Sequence, residues 1–122
     1  MRNALLAFSI ALVAFVPSRA RGDDTEVVVT EDGPRVRAVV GPARGEAALD
    51  GSWLGVHDMV TDPSYRRRGL ARRVLAALAE WGAEQGATTL WLHVETDNVP
   101  AIAFYEGLGL RTHHVCRYYA AP

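Results

Sequence analysis

The stretch from Trp53 to Val94 restricts the chain to few folds. It reads as a strand from about Trp53 to Thr61, a helix from Leu70 to Gln85 and a second strand from Thr88 to Val94. Leu70, Val74, Leu75, Leu78 and Trp81 recur at helical spacing, with Arg72, Arg73, Glu80 and Glu84 mostly on the other side. Pro63 ends the first strand and Gly86 closes the helix. The run TTLWLHV is β-branched and apolar, as a buried strand requires. A strand, a helix and a strand in succession imply a crossover between parallel neighbours in one sheet.

The flanking segments extend this unit. Val27–Thr30 and Val36–Val40 are β-branched runs joined by Glu31-Asp32-Gly33-Pro34, which predicts an antiparallel hairpin. Turns are expected at Gly41-Pro42 and Asp50-Gly51. After the crossover, NVPAIAFYEGLG predicts a short helix. Asn98 is placed to cap it, Pro100 sits in its first turn, and Gly107 or Gly109 ends it. Leu110–Tyr119 supplies one or two terminal strands. The expected order is β-β-β-α-β-α-β, an α/β (α+β) arrangement with a mixed sheet rather than a doubly wound parallel one.

The amino terminus reads differently. Arg2 is followed by an apolar or small run from Ala4 to Val16, then by Pro17 and Ser18-Arg19-Ala20. The pattern fits a signal peptide cleaved after Ala20, a buried helix or strand of the folded domain, or a foreign start grafted onto a domain. The run is short for a membrane-spanning helix, which needs roughly 20 residues, so no stable membrane insertion is expected. Residues 1–23 are therefore set apart from a single domain over residues 24–122.

Charge concentrates in one place. The chain has a net charge of -1, yet five of its thirteen basic residues fall between Arg66 and Arg73. Balance on this scale argues against a general nucleic-acid binder. The cluster instead coincides with the loop DPSYRRRGLA, which joins a strand's carboxyl end to a helix start. There the first helical N–H groups lack internal partners and the helix dipole adds partial positive charge. Gly69 permits close backbone approach, and Arg66, Arg67 and Arg68 add guanidinium donors suited to phosphate oxygens. A diphosphate is the ligand that uses all of these together. Neither G-x-x-x-x-G-K-[ST] nor G-x-G-x-x-G occurs, so other phosphate loops are unsupported. Cys116 is the only cysteine, which excludes an internal disulfide and reads as a small apolar filler.

These residues carry a resemblance. RRRGLA resembles the [RQ]-x-x-G-x-[GA] loop of the GNAT superfamily of acyl-CoA N-acyltransferases, with Arg66, Gly69 and Ala71 in register. NVPAIAFYEGLGL is similar to that family's N-x-x-A-x-x-x-Y-x-x-x-G-F signature, matching at Asn98, Ala101, Tyr105 and Gly109, with Leu110 replacing Phe. The resemblance covers about Trp53 to Tyr119. It implies a GNAT-like mixed sheet with flanking helices, acetyl-CoA as co-substrate, and transfer of its acetyl group to a primary amine of a small molecule or protein. The pyrophosphate is implied to lie on the amides of Arg67, Arg68, Gly69, Leu70, Ala71 and Arg72, with the pantetheine arm pairing with Met59, Val60 and Thr61. Asn98, already placed to cap its helix, is also implied as a hydrogen-bond partner of the cofactor arm, and the two roles are compatible. The strand and helices with which the family fold starts, and which shape the acceptor side, have no counterpart in this reading. Three readings stay open: a homodimer or partner chain supplies that side, residues 4–16 substitute poorly for it, or the chain is a fragment; the alternative to an active enzyme is an inactive or fragmentary CoA-binding module.

The resemblance also implies roles in chemistry. Tyr105 matches the tyrosine that gives a proton to the departing CoA sulfur; a phenol is a proton donor at neutral pH, with an ordinary pKa near ~10. A backbone N–H near Met59 or Val60 polarises the thioester carbonyl. For the base, strict alternation groups His57 with Met59 and Thr61 on one strand face and Asp58 on the other, which makes His57 the preferred candidate over His93 and Glu95. His113 and His114 are adjacent and face opposite ways in a strand, so no metal is expected. Acyl-CoA is a cytosolic cofactor, so a cytoplasmic location is expected over export or tethering through residues 1–20.

Overall fold

A computed structural model describes the backbone of residues 2–9, 26–62, 64 and 69–117, with side chains for Leu5 and for 26–62, 64 and 69–112. In chain order the elements are β1 (Arg2–Ser9), β2 (Val27–Asp32), β3 (Arg35–Val40), β4 (Ala43–Asp50), β5 (Trp53–Thr61), α1 (Leu70–Glu84), β6 (Thr89–Glu95), α2 (Val99–Gly107) and β7 (Arg111–Arg117). The strands form one sheet in the order β2-β3-β4-β5-β6-β1-β7. Among the described residues only β5 and β6 pair in parallel; the other neighbours are antiparallel. The mixed sheet, the hairpin, the crossover and both helices match the sequence expectation.

Two strands lie outside the expected order β-β-β-α-β-α-β. The first is β4, whose sequence ARGEAALD has little of the β-branched character that marks strands. Its alternation is written in small residues, with Ala43, Gly45 and Ala47 buried. The reason lies on the helix side. A Cβ on Gly45 would meet the Met59 sulfur, Val74 Cγ1 at 2.9 Å and Leu78 Cδ1 at 3.2 Å. The strand is small where α1 seats on it. Gly45→Val should therefore overpack this contact and lower stability by about 1–3 kcal/mol, measured by urea unfolding; an unchanged midpoint would show that α1 sits less closely on β4.

The second is β1, from the segment that the sequence reading sets apart. Its backbone pairs with β6 from Asn3↔Glu95 to Ser9↔Thr89 and with β7 on its other edge. Leu5 is buried. Of the three readings of this segment, strand pairing is the arrangement that Arg2–Ser9 adopts here. Residues 10–25 lie outside the described residues.

The core lies between the sheet and α1. Leu70, Val74, Leu75, Leu78 and Trp81 are buried, matching the expected helical stripe. They pack with Val36, Ala38 and Val40 of β3, Ala43 and Ala47 of β4, Leu54 and Val56 of β5, and Leu90, Leu92 and Val94 of β6. Trp81 Nε1 donates to Glu31 Oε2 at 2.7 Å, which ties α1 to β2. Among the described residues, no helix is long and apolar enough to cross a membrane.

Candidate active site

The site begins where two parallel strands part. β5 spans Trp53–Thr61, but its pairing with β6 runs only from Trp53↔Thr89 to Val56↔Leu92. Beyond Val56, β5 stays with β4 as far as Thr61, while β6 stays with β1 as far as Glu95. The edges of His57–Thr61 and His93–Glu95 that would face each other carry no ladder between them. Backbone N–H and C=O groups on such edges need partners, so an amide-bearing ligand can complete them.

A bulge sits at the parting point. Pairing passes from Arg44↔Val60 to Glu46↔His57, so Gly45 opposes the two residues Asp58 and Met59. Asp58 has φ 53, in the left-handed region. The extra residue breaks the alternation of side chains and corrects the expectation for His57. Met59 lies on the α1 side, its sulfur against Gly45, and Thr61 stands opposite buried Ala43. His57 points to the other face, where its Nε2 lies 3.6 Å from Glu46 Oε2. Asp58 joins His57 rather than opposing it: Glu46, His57 and Asp58 each place a ligand atom within 4.8 Å of the others. Val60 is exposed and Met59 half-buried.

Glu46 is held from its other side as well. Arg37 donates to its Oε1 from Nε at 3.0 Å and from Nη2 at 2.9 Å. The hydrogen bonds from Arg37, and next the contact with Asp58, hold the Glu46 carboxyl below its ordinary value. Arg37 and Glu46 did not stand out in the sequence, because their alignment with His57 is a matter of strand register, and β4 carries no strand signal of its own.

The second part of the site is the start of α1. Asp62 Oδ1 accepts from the Ser64 N–H at 2.9 Å just after β5. Gly69 stands at the helix cap with φ 75 and ψ 9. Among the described residues a Cβ there would meet nothing within 4 Å, and the positive φ itself favours glycine. The helix has no side-chain cap and no acidic residue in its first turn. Among the described residues, then, no side-chain cap takes up the N–H groups of Leu70, Ala71 and Arg72. Leu70 is buried, Ala71 half-buried and Arg72 exposed. Arg66, Arg67 and Arg68 lie outside the described residues.

Tyr105 and Asn98 are set by α2. Asn98 Oδ1 accepts from the Ala101 N–H at 3.3 Å, the capping bond expected of it. Tyr105 is 8% exposed and belongs to the same buried cluster as Leu70, Leu92 and Val94. Its ring meets Phe104 edge-on, with centroids 5.1 Å apart. Burial raises its pKa above the ordinary tyrosine value, which keeps the phenol protonated throughout the neutral range. The side chains of His113 and His114 lie outside the described residues.

Comparison with known proteins places this geometry. Residues 10–110 match the acetyltransferase (GNAT) family. The [ribosomal protein bS18]-alanine N-acetyltransferase of Escherichia coli K12 is 40% identical over 62 residues, covering 51% of this chain and 42% of that protein. The mycothiol acetyltransferase of Mycobacterium avium is 35% identical over 100 residues, covering 75% of this chain and 32% of that protein. The chain thus spans less than half the length of either relative. A GNAT-family protein from Novosphingobium aromaticivorans shares the fold with a TM-score of 0.70 at 21% identity, covering 94% of this chain and 62% of that one. The family match runs through the parted strands, the start of α1 and the tyrosine of α2, and the chain belongs to the acetyltransferase (GNAT) family.

Proposed function

We propose that the chain is an N-acetyltransferase that moves an acetyl group from acetyl-CoA to a primary amine of a small molecule or protein. The observation that carries this is the parting of β5 from β6 at His57, followed directly along the chain by the loop to the uncapped start of α1. In this reading the pantetheine arm completes the free edge of Met59, Val60 and Thr61. The diphosphate lies on the amides of Arg67–Arg72, helped by the side chains of Arg66, Arg67 and Arg68. Asn98 adds its amide to the cofactor arm while it caps α2.

The chemistry follows from the residues. The amine nitrogen attacks the thioester carbonyl carbon, whose oxygen is polarised by a backbone N–H near Met59 or Val60. His57 takes the proton that the nitrogen sheds. The C–S bond breaks, and the departing sulfur takes the proton of the Tyr105 hydroxyl. The relatives' names as N-acetyltransferases support the reaction class, and a cytosolic co-substrate supports a cytoplasmic site of action. In this reading residues 24–122 form the domain and β1 joins its sheet. A second chain completes the acceptor side.

The test is acetyl-CoA binding followed by turnover. Acetyl-CoA at 100 times its Kd should stabilise the chain by about 2.7 kcal/mol, and a panel of amines should release CoA thiol. Neither stabilisation nor release would overturn the assignment; stabilisation with no release across the panel would favour a binding module.

A further inference from the structure

Arg37, Glu46 and His57 form a row across three adjacent strands, with Arg37 opposite Glu46 and Glu46 opposite His57. Their neighbours Ala38, Ala47 and Val56 are buried in the core with α1, so the row lies on the other face. Arg37 places both of its contacts on Oε1 of Glu46, at 3.0 and 2.9 Å. That leaves Oε2 as the oxygen nearest His57, at 3.6 Å from Nε2. The distance is longer than a hydrogen bond, and contacts of this kind in free enzymes tighten when substrate arrives.

We propose that Glu46 is a positioning residue for His57, an inference that rests on His57 being the base of the acetyl transfer. A carboxylate accepts only. It therefore keeps the imidazole proton on Nε2 and leaves the lone pair on Nδ1, because the partner of one ring nitrogen fixes the state of the other. Arg37 makes this one-sided by occupying Oε1. During transfer the new C–N bond forms, the amine nitrogen gives its proton to Nδ1, and the C–S bond breaks. The resulting imidazolium faces Glu46 until it returns the proton to solvent. The charged groups around His57 are Glu46 from β4, Arg37 from β3 through Glu46, and Asp58 on its own strand.

Glu46→Gln separates this role from a structural one. The amide has nearly the carboxylate's shape but one acceptor oxygen. Arg37 claims that oxygen, and the NH2 group is turned toward Nε2, which forces the wrong ring state. We expect kcat to fall about 10-fold to 100-fold, the loss typical when the hydrogen-bond partner that orients a metal-bound histidine is removed. KM for acetyl-CoA and the unfolding temperature should stay unchanged. In a His57→Ala background the same substitution should have no further effect, because Glu46 acts only through the ring. Full kcat in Glu46→Gln, or losses that add in the double variant, would overturn the proposal. Absence of turnover in the unaltered chain would instead remove the acetyl-transfer reading, and this inference with it.

Discussion

Gly69→Glu should abolish acetyl-CoA binding while leaving a folded protein. The position holds φ 75 and ψ 9 at the cap of α1, and an L residue in that region costs about 1–2 kcal/mol. None of the described residues stands within 4 Å of an added Cβ, so none of them adds a clash to that strain. A carboxylate at a helix amino terminus also gains about 0.3–1 kcal/mol from the dipole, which offsets part of it. The net loss of stability is therefore small. The dipole and the N–H groups that favour a diphosphate favour the introduced carboxylate equally, so the side chain occupies the anion position permanently. Repulsion between like charges ~4 Å apart is about 1 kcal/mol in water and about 4 kcal/mol at an effective dielectric near 20. A diphosphate meets it more than once, which amounts to at least a 100-fold loss of affinity by calorimetry. Gly69→Ala is the control: it carries the same backbone strain with no charge, and its affinity should stay within about 10-fold of the unaltered chain. Equal affinity of Gly69→Glu and the unaltered chain would remove the diphosphate from this helix end.

The sequence disclosed what local pattern controls. The stripe Leu70, Val74, Leu75, Leu78 and Trp81 fixed the extent of α1 to within a residue, and Asn98 with Pro100 marked the start of α2. Gly69 stood out for its motif and its position before a helix. What stayed hidden depends on neighbours distant in the chain. β4 is built of small residues because α1 rests on it, so its own propensity gives no strand signal. The bulge at Asp58 arises from the pairing of β5 with β4, and an aspartate in the left-handed region announces itself far less than a glycine would. One unforeseen residue there moved His57 and Met59 to opposite faces and brought Glu46 and Asp58 to the histidine. The apolar run from Ala4 suits a strand as well as a signal, and the partners of Arg2–Ser9, β6 and β7, lie more than 75 residues away in the chain, where no local pattern points to them.

Tyr105→Phe should lower kcat by about 100-fold to 10,000-fold, the usual worth of a placed proton donor, with acetyl-CoA affinity nearly unchanged. The ring is buried and packed against Phe104, and phenylalanine preserves that packing, so a fall in rate reports the hydroxyl. Without it the sulfur departs as a bare thiolate. The same hydroxyl supplies a test that needs no turnover. Burial raises the folded pKa of Tyr105 above its ordinary value. A group of this kind contributes stability that is fully present below the unfolded pKa, near ~10, and is lost as pH rises through the folded value. The unaltered chain should therefore lose stability across that alkaline window, and Tyr105→Phe should lose less of it. A variant with full kcat would remove the acid role even if its alkaline unfolding changed as expected. A variant with reduced kcat and an unaltered alkaline profile would keep the hydroxyl in the chemistry but deny that it is buried in the free protein.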